Sequence, residues 1–282
     1  MRYEPLGATG VEVRDLNLSK DVPTKEQAML RSLLDDHQLL LFRGQDLSDK
    51  DHVRVMQYFG SVLDETFDGT LVAFVSNNRE GAFVPEGRLL FHSDLAFCPE
   101  PLQANSLYAI KIPPGGTSTW FANAERAAAS LGVDLAERVE GREALHLQDL
   151  RSQRSDRRFR DAEVPPEQPR TTHPVLWSHP RTGKPVLYVN ELQTDSVLGL
   201  SVLDSEELLG ELLAILYNSD NVLEHSWQEG DLVIWDNVSL QHGRGDMPEY
   251  EERTHRRVVL GERGVVEQVP SFVPLVRMGP RA

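Results

Sequence analysis

The residues of this 282-residue chain whose types and spacing could do chemistry begin at Phe91-His92-Ser93-Asp94, where an imidazole and a carboxylate stand two positions apart. On a strand, side chains i and i+2 leave on the same side of the backbone, so His92 and Asp94 can converge on one ion. A third ligand must come from elsewhere. The best candidate is His242, which follows a strand-like run and the dipeptide Asp236-Asn237 in DLVIWDNVSLQHGR. Two histidines and one carboxylate cover one face of an octahedron and leave three positions open, the arrangement of non-haem Fe(II) oxygenases. The same three residues could hold zinc with an open position, so a zinc-dependent hydrolase is the reading from a different class. The sequence offers no HExxH-like element to supply its general base. Cys98 is the single cysteine, which excludes an internal disulfide and a thiolate metal cluster.

These side chains must be positioned by strands, and the texture of the chain supplies them. Residues 9–18 (TGVEVRDLNL) alternate and read as a strand, and Leu39-Leu40-Leu41-Phe42 reads as a buried one. From about residue 70 short apolar runs recur, at 71–75, 106–110, 186–189 and 231–235, punctuated by Pro113-Pro114-Gly115-Gly116 and Thr182-Gly183-Lys184-Pro185. Helices are expected at 24–37, with Thr24 and Gln27 as a capping box, at 48–60, capped by Ser48 and stopped by Gly60, at 123–133 and at 204–218. Spaced short strands with a few helices describe a mostly β protein, a sandwich or jelly roll with helical decoration. Residues 147–172 form one long polar segment without periodicity, read as a lid or a flexible loop over a single domain spanning 1–282.

Composition bounds the partners. With 29 Lys+Arg against 44 Asp+Glu the formal charge is −15, which argues against nucleic acid and anionic membranes. It leaves open a small anion held by the local field of a pocket. A 40% hydrophobic and 26% charged composition is that of an ordinary globular protein. No run approaches the roughly 18 apolar residues of a membrane span, and Met1-Arg2-Tyr3-Glu4-Pro5 does not open a signal peptide, so a soluble cytoplasmic protein is expected.

Several segments occur together in a familiar order: GATGVEVRDLNL, HQLLLFRGQDLSDKDHVRVMQYFG, FHSDLAFCPEP, IKIPPGGTSTWFAN, HPVLWSHPRTGKPVLYVNE, WQEGDLVIWDNVSLQHGR and RTHRR. Over about residues 6–262 the chain resembles the taurine/2,4-dichlorophenoxyacetate dioxygenase (TauD/TfdA) family of Fe(II)- and 2-oxoglutarate-dependent enzymes. The resemblance implies a double-stranded β-helix core of the jelly-roll or cupin-like kind, within a mostly β, α+β chain. It implies oxidative decarboxylation of 2-oxoglutarate to succinate and CO₂, with O₂ consumed, coupled to hydroxylation of a C–H bond of a small substrate. Desaturation, cyclisation or oxidative cleavage are the alternatives in a biosynthetic setting. Residue by residue it makes His92, Asp94 and His242 the iron ligands and Arg253 the partner of one 2-oxoglutarate carboxylate, a task suited to a bidentate guanidinium. Ser118 aligns with a threonine that contacts the co-substrate; Thr117 or Thr119 would take its place if the register differs. Arg257 matches an arginine that grips an anionic substrate, implying a carboxylate or sulfonate, with His255 and Arg256 facing the other way. Asn190 falls near the rim of the site, while Asp236 and Asn237 order the strand that carries His242. Asp94 fills the place a halide takes in related halogenating enzymes, which implies oxygenation. The resemblance also makes a homo-oligomer plausible.

Overall fold

In the computed structural model most apolar runs pair into two sheets that share a core, flanked by a three-stranded sheet and by the pair Leu176–Ser178 with Pro185–Leu187; residues 1–7, 9–65, 69–79, 82, 88–152, 154–245 and 252–269 are described. The larger sheet has eight strands. Its order is Arg2–Pro5, Val11–Arg14, Leu39–Phe42, Leu232–Asp236, Ala104–Lys111, Thr254–Leu260 and Val62–Leu63, with Ala73–Ser76 also bonded to Thr254–Leu260. The smaller sheet has four strands, in the order Val222–Ser226, Ser118–Asn123, Leu240–Arg244 and Leu89–His92. Every pairing in both is antiparallel except Val11–Arg14 with Leu39–Phe42.

The strand Leu232–Asp236 shows why its sequence is a continuous apolar run. Leu232 and Ile234 face a helical layer, where they meet Leu30, Leu34, Val55 and Met56. Val233 and Trp235 face inward, against Phe121 and Leu240 of the smaller sheet. A strand covered on both faces has no polar side to alternate with. The ring of Trp235 meets that of Phe121 edge-on at 5.3 Å, closing the space between the sheets. The result is a jelly-roll core with helices packed on it.

The helical layer is formed by Thr24–His37 and Asp49–Met56. Ser48 caps the second in a reciprocal capping box with Asp51, as its sequence implies, but the helix ends at Met56 rather than at Gly60. Thr24 is not a cap: Pro23 precedes the first helix without a side-chain cap, and Gln27 instead donates to Val22 O. The stretch expected as one helix at 123–133 is broken into Ala124–Ala129 and Val133–Val139, with Gly132 starting the second; the helix expected at 204–218 runs Val202–Leu216 from a Ser201 cap. No described helix is long and apolar enough to cross a membrane.

The polar segment 147–172 has its own scaffold. Leu147 and Arg170 lie in paired strands, and Phe159 and Val164 pack on Leu147. Arg160 and Arg158 both grip Glu206, at 2.6 and 2.7 Å. Leu90 N–H donates to Ser155 O at 2.9 Å, and Ser155 Oγ donates to Arg88 O at 3.2 Å. The segment thereby lies along the strand that ends at His92. Its arginines, which in sequence look like a solvated run, are its fasteners.

Candidate active site

His92 and His242 are register partners across the antiparallel strands Leu89–His92 and Leu240–Arg244. Directly opposed residues share a face, and their rings lie 4.2 Å apart between centroids. Asp94 arrives differently from the strand spacing expected: His92 ends its strand, and the chain turns through Ser93–Cys98, with Ala96 N–H donating to Ser93 O and Leu95 at φ 59°. The turn brings Asp94 Oδ1 to 3.2 Å from His92 Nε2 and Oδ2 to 3.8 Å from His242 Nε2.

Asn237 and Asn105 hold this turn in place. Asn237 donates to Asp94 O at 3.0 Å and Leu102 O at 2.9 Å, and accepts from Asp94 N–H at 2.9 Å. Asn105, on the larger sheet, donates to Asp94 Oδ2 at 2.8 Å. Arg257 Nη1 also lies 2.9 Å from Oδ2, so the second carboxylate oxygen is engaged by protein and Oδ1 is left toward the histidines. Asp236 accepts from Val238 and Ser239 N–H and so shapes the turn into the His242 strand, as expected, whereas Asn237 orders the Asp94 turn instead.

The donor set fits a hexacoordinate metal. The three ligand atoms lie within 4.8 Å of one another, and facial ligands at about 2.1 Å from an ion are roughly 3 Å apart. His92 Nδ1 lies 3.0 Å from Leu90 O, which leaves its Nε2 for the ion. Burial alone would raise the Asp94 pKa, but Arg257 and the two histidines hold the carboxyl well below its usual range. Burial, helped by His92 and Arg257, pushes His242 down to about 3, so its lone pair is free for coordination at neutral pH.

A buried cationic cluster begins two residues beyond His242, where Arg244 of the same strand neighbours Arg253. Arg253 is buried, has no carboxylate partner among the described residues, and its Nε makes no hydrogen bond. Burial and the neighbouring Arg244 draw its pKa down to about 9, the mark of a guanidinium in want of an anion. His255 is also buried, with both ring nitrogens unpartnered, and lies edge-on to Trp227 at 4.5 Å. Trp227 Nε1 donates in turn to Thr119 Oγ1 at 2.9 Å. Ser118 is therefore corrected: it pairs with Ser226 on the outward side of its strand, while Thr119, paired with His225, is on the inward side. The hydroxyl on the strand face that carries Phe121, the register partner of His242, is that of Thr119.

Three further expectations change. His255 shares the inner face with Arg253 and Arg257, since i+2 alternation groups them; only Arg256 faces the helices, where it bonds His52 and Leu47 O. Asn190 closes its own turn: its side chain accepts from Gln193 N–H at 2.7 Å and donates to Gln193 Oε1 at 3.2 Å. Arg257 is not an open anion grip, because Glu65 takes its Nε at 2.7 Å and Nη2 at 3.1 Å while Asp94 takes Nη1. Of the residues absent from the initial reading, Arg244 follows His242 by two on one strand and His255 follows Arg253 by two, both legible spacings. Asn105 shows as a polar residue in an apolar strand. Glu65 carried no signal.

A jelly roll that carries a two-histidine, one-carboxylate triad and a buried cationic cluster defines a non-haem iron oxygenase with an acidic co-substrate. The sequence matches the taurine catabolism dioxygenase TauD, TfdA family over residues 2–259, and the chain belongs to that family. It is 28% identical over 263 residues to an alpha-ketoglutarate-dependent 2,4-dichlorophenoxyacetate dioxygenase of Cupriavidus pinatubonensis, covering 84% of this chain and 88% of that one. It is 30% identical to an alkylsulfatase of Acinetobacter baylyi, covering 90% and 82%. Among solved structures, a taurine dioxygenase from Burkholderia xenovorans superposes with a TM-score of 0.76 at 26% identity, covering 93% and 91%. The fold of AAD-2, solved with Mn(II) and N-oxalylglycine, matches with a TM-score of 0.78. The chain is thus a 2-oxoglutarate-dependent dioxygenase that uses Fe(II) and O₂ and acts on a small molecule. The zinc hydrolase reading falls with that assignment.

Proposed function

We propose that His92, Asp94 and His242 hold the ferrous ion and that Arg253 binds the distal carboxylate of 2-oxoglutarate, with the Thr119 hydroxyl and the His255 ring lining the same pocket. The observation that supports this is a three-ligand cluster together with a buried arginine, neighbour to Arg244 on the His242 strand, that has no carboxylate partner among the described residues. An unpaired buried charge is costly, and a carboxylate supplies what Arg253 lacks. Once bound, the iron supplies the electron and O₂ chemistry by which 2-oxoglutarate is decarboxylated to succinate and a substrate C–H bond is oxidised. The chain's part is to orient and to exclude water. Asn105 and Arg257 fix one Asp94 oxygen, the ladder fixes both histidines, and the 147–172 segment closes the edge beside His92. Asp94 occupies the position that halogenation would need empty, which favours oxygenation; hydroxylation is the main reading, with desaturation, cyclisation or oxidative cleavage as the alternatives. The relatives named for 2,4-dichlorophenoxyacetate and as an alkylsulfatase support a small organic substrate. In steady-state assays of succinate release, Arg253→Ala should raise the KM for 2-oxoglutarate about 10- to 150-fold, the worth of a charged hydrogen bond. An unchanged KM would refute the assignment.

A further inference from the structure

The charge around Arg257 bears on which substrate the site accepts. Its side chain is 11% exposed, and its fork is closed by Glu65, through Nε at 2.7 Å and Nη2 at 3.1 Å, with Asp94 on Nη1 at 2.9 Å. One cation therefore serves two carboxylates: Asp94, whose charge is shared with the metal site, and Glu65, which faces Arg257 alone. An anionic head group approaching Arg257 would have to displace a bidentate partner or stand against the like charge of Glu65. Glu65 itself is only partly buried, at 19% side-chain exposure, so its carboxylate retains acceptor capacity toward an incoming molecule.

We propose that Glu65 is a specificity-determining residue: it neutralises Arg257 and selects a substrate that presents a hydrogen-bond donor, such as a hydroxyl, amide N–H or ammonium group, rather than a carboxylate or sulfonate. The inference rests on the metal and co-substrate assignment above. It also separates this chain from the relative named for 2,4-dichlorophenoxyacetate, a carboxylate.

The test uses a matched pair of probes, 2,4-dichlorophenoxyacetate and its primary amide, titrated calorimetrically into the full chain loaded with Mn(II) and N-oxalylglycine. Loading is measured first, so that failure of the metal and co-substrate reading shows at that stage and is not confused with failure at Glu65. The wild type is expected to bind the amide more tightly than the acid. Glu65→Gln, which keeps the shape and removes the charge, should tighten acid binding by about tenfold or more and lower the amide-to-acid preference accordingly. Glu65→Ala should shift the preference in the same direction, and thermal melts establish that both variants fold. A wild type that prefers the acid, an amide-to-acid ratio unchanged in Glu65→Gln, or acid binding undetectable in Glu65→Gln would each overturn the proposal.

Discussion

His92 and His242 stand directly opposite each other on neighbouring antiparallel strands, so the spacing of the two imidazoles is set by the sheet ladder. Because side chains alternate, a one-residue slip would turn one histidine to the opposite face. The pairing shifts register immediately afterwards, between His242 and Arg244, and the residue at that irregularity is Gly243.

A Cβ on Gly243 would lie 3.0 Å from Leu89 O and 3.3 Å from the Phe91 ring. Backbone cannot yield as a flexible side chain does, so Gly243→Ala should push the two strands apart. We expect about 1–3 kcal/mol of destabilisation in chemical unfolding, together with weaker metal binding. A variant as stable as wild type would show that the strands are not tightly apposed there.

Asn105→Ala removes a hydrogen bond to Asp94 Oδ2 without touching a ligand atom. Loss of such a support typically lowers metal affinity 10–100-fold, and about that loss is expected in an equilibrium Fe(II) titration. Unaltered affinity would mean that Arg257 alone suffices to fix the carboxylate.

The two hydroxyls at the start of strand Ser118–Asn123 make opposite predictions. Thr119→Val should raise the KM for 2-oxoglutarate severalfold, about 2- to 10-fold for a single hydrogen bond. Ser118→Ala, on the outward side, should leave it unchanged. The reverse pattern would place the strand in the other register.

Glu206 fastens the 147–172 segment. Its hydrogen bond to Arg160, aided by Arg158, outweighs burial and holds its pKa at about 2. A depressed carboxylate pKa contributes stability that is complete above the unfolded value, about 4.3, and is lost as pH falls toward the folded one. Amide exchange in residues 154–164, corrected for intrinsic rate, should therefore stay slow at neutral pH and accelerate between about pH 4 and 2. Glu206→Gln should show the faster exchange already at pH 7. Equal protection in both proteins at pH 7 would contradict the fastening role.

The fold was legible where local pattern and burial agree: the runs at 39–42 and 231–235 became core strands because both of their faces are covered. The proposed site residues His92, His242 and Arg253 stand where alternation or motif spacing governs. Asp94 belongs to the same short motif, yet its convergence comes from a turn held by Asn237, more than 140 residues away in sequence. Ser118 and Thr119 differ only in strand phase, and that phase is set by pairing with Val222–Ser226, a contact distant in sequence. Glu65 lies in a stretch without periodicity and meets Arg257 only through the fold.

His92, Asp94 and His242 are proposed to form a single metal site that turns over 2-oxoglutarate. The most direct measurement is succinate formed from 2-oxoglutarate by protein reconstituted anaerobically with Fe(II) and then exposed to O₂, wild type against Asp94→Ala. The wild type should bind one iron per chain and release succinate, and Asp94→Ala should lose iron-dependent succinate formation while melting as a folded protein. Succinate release by folded Asp94→Ala at the wild-type rate would contradict the claim.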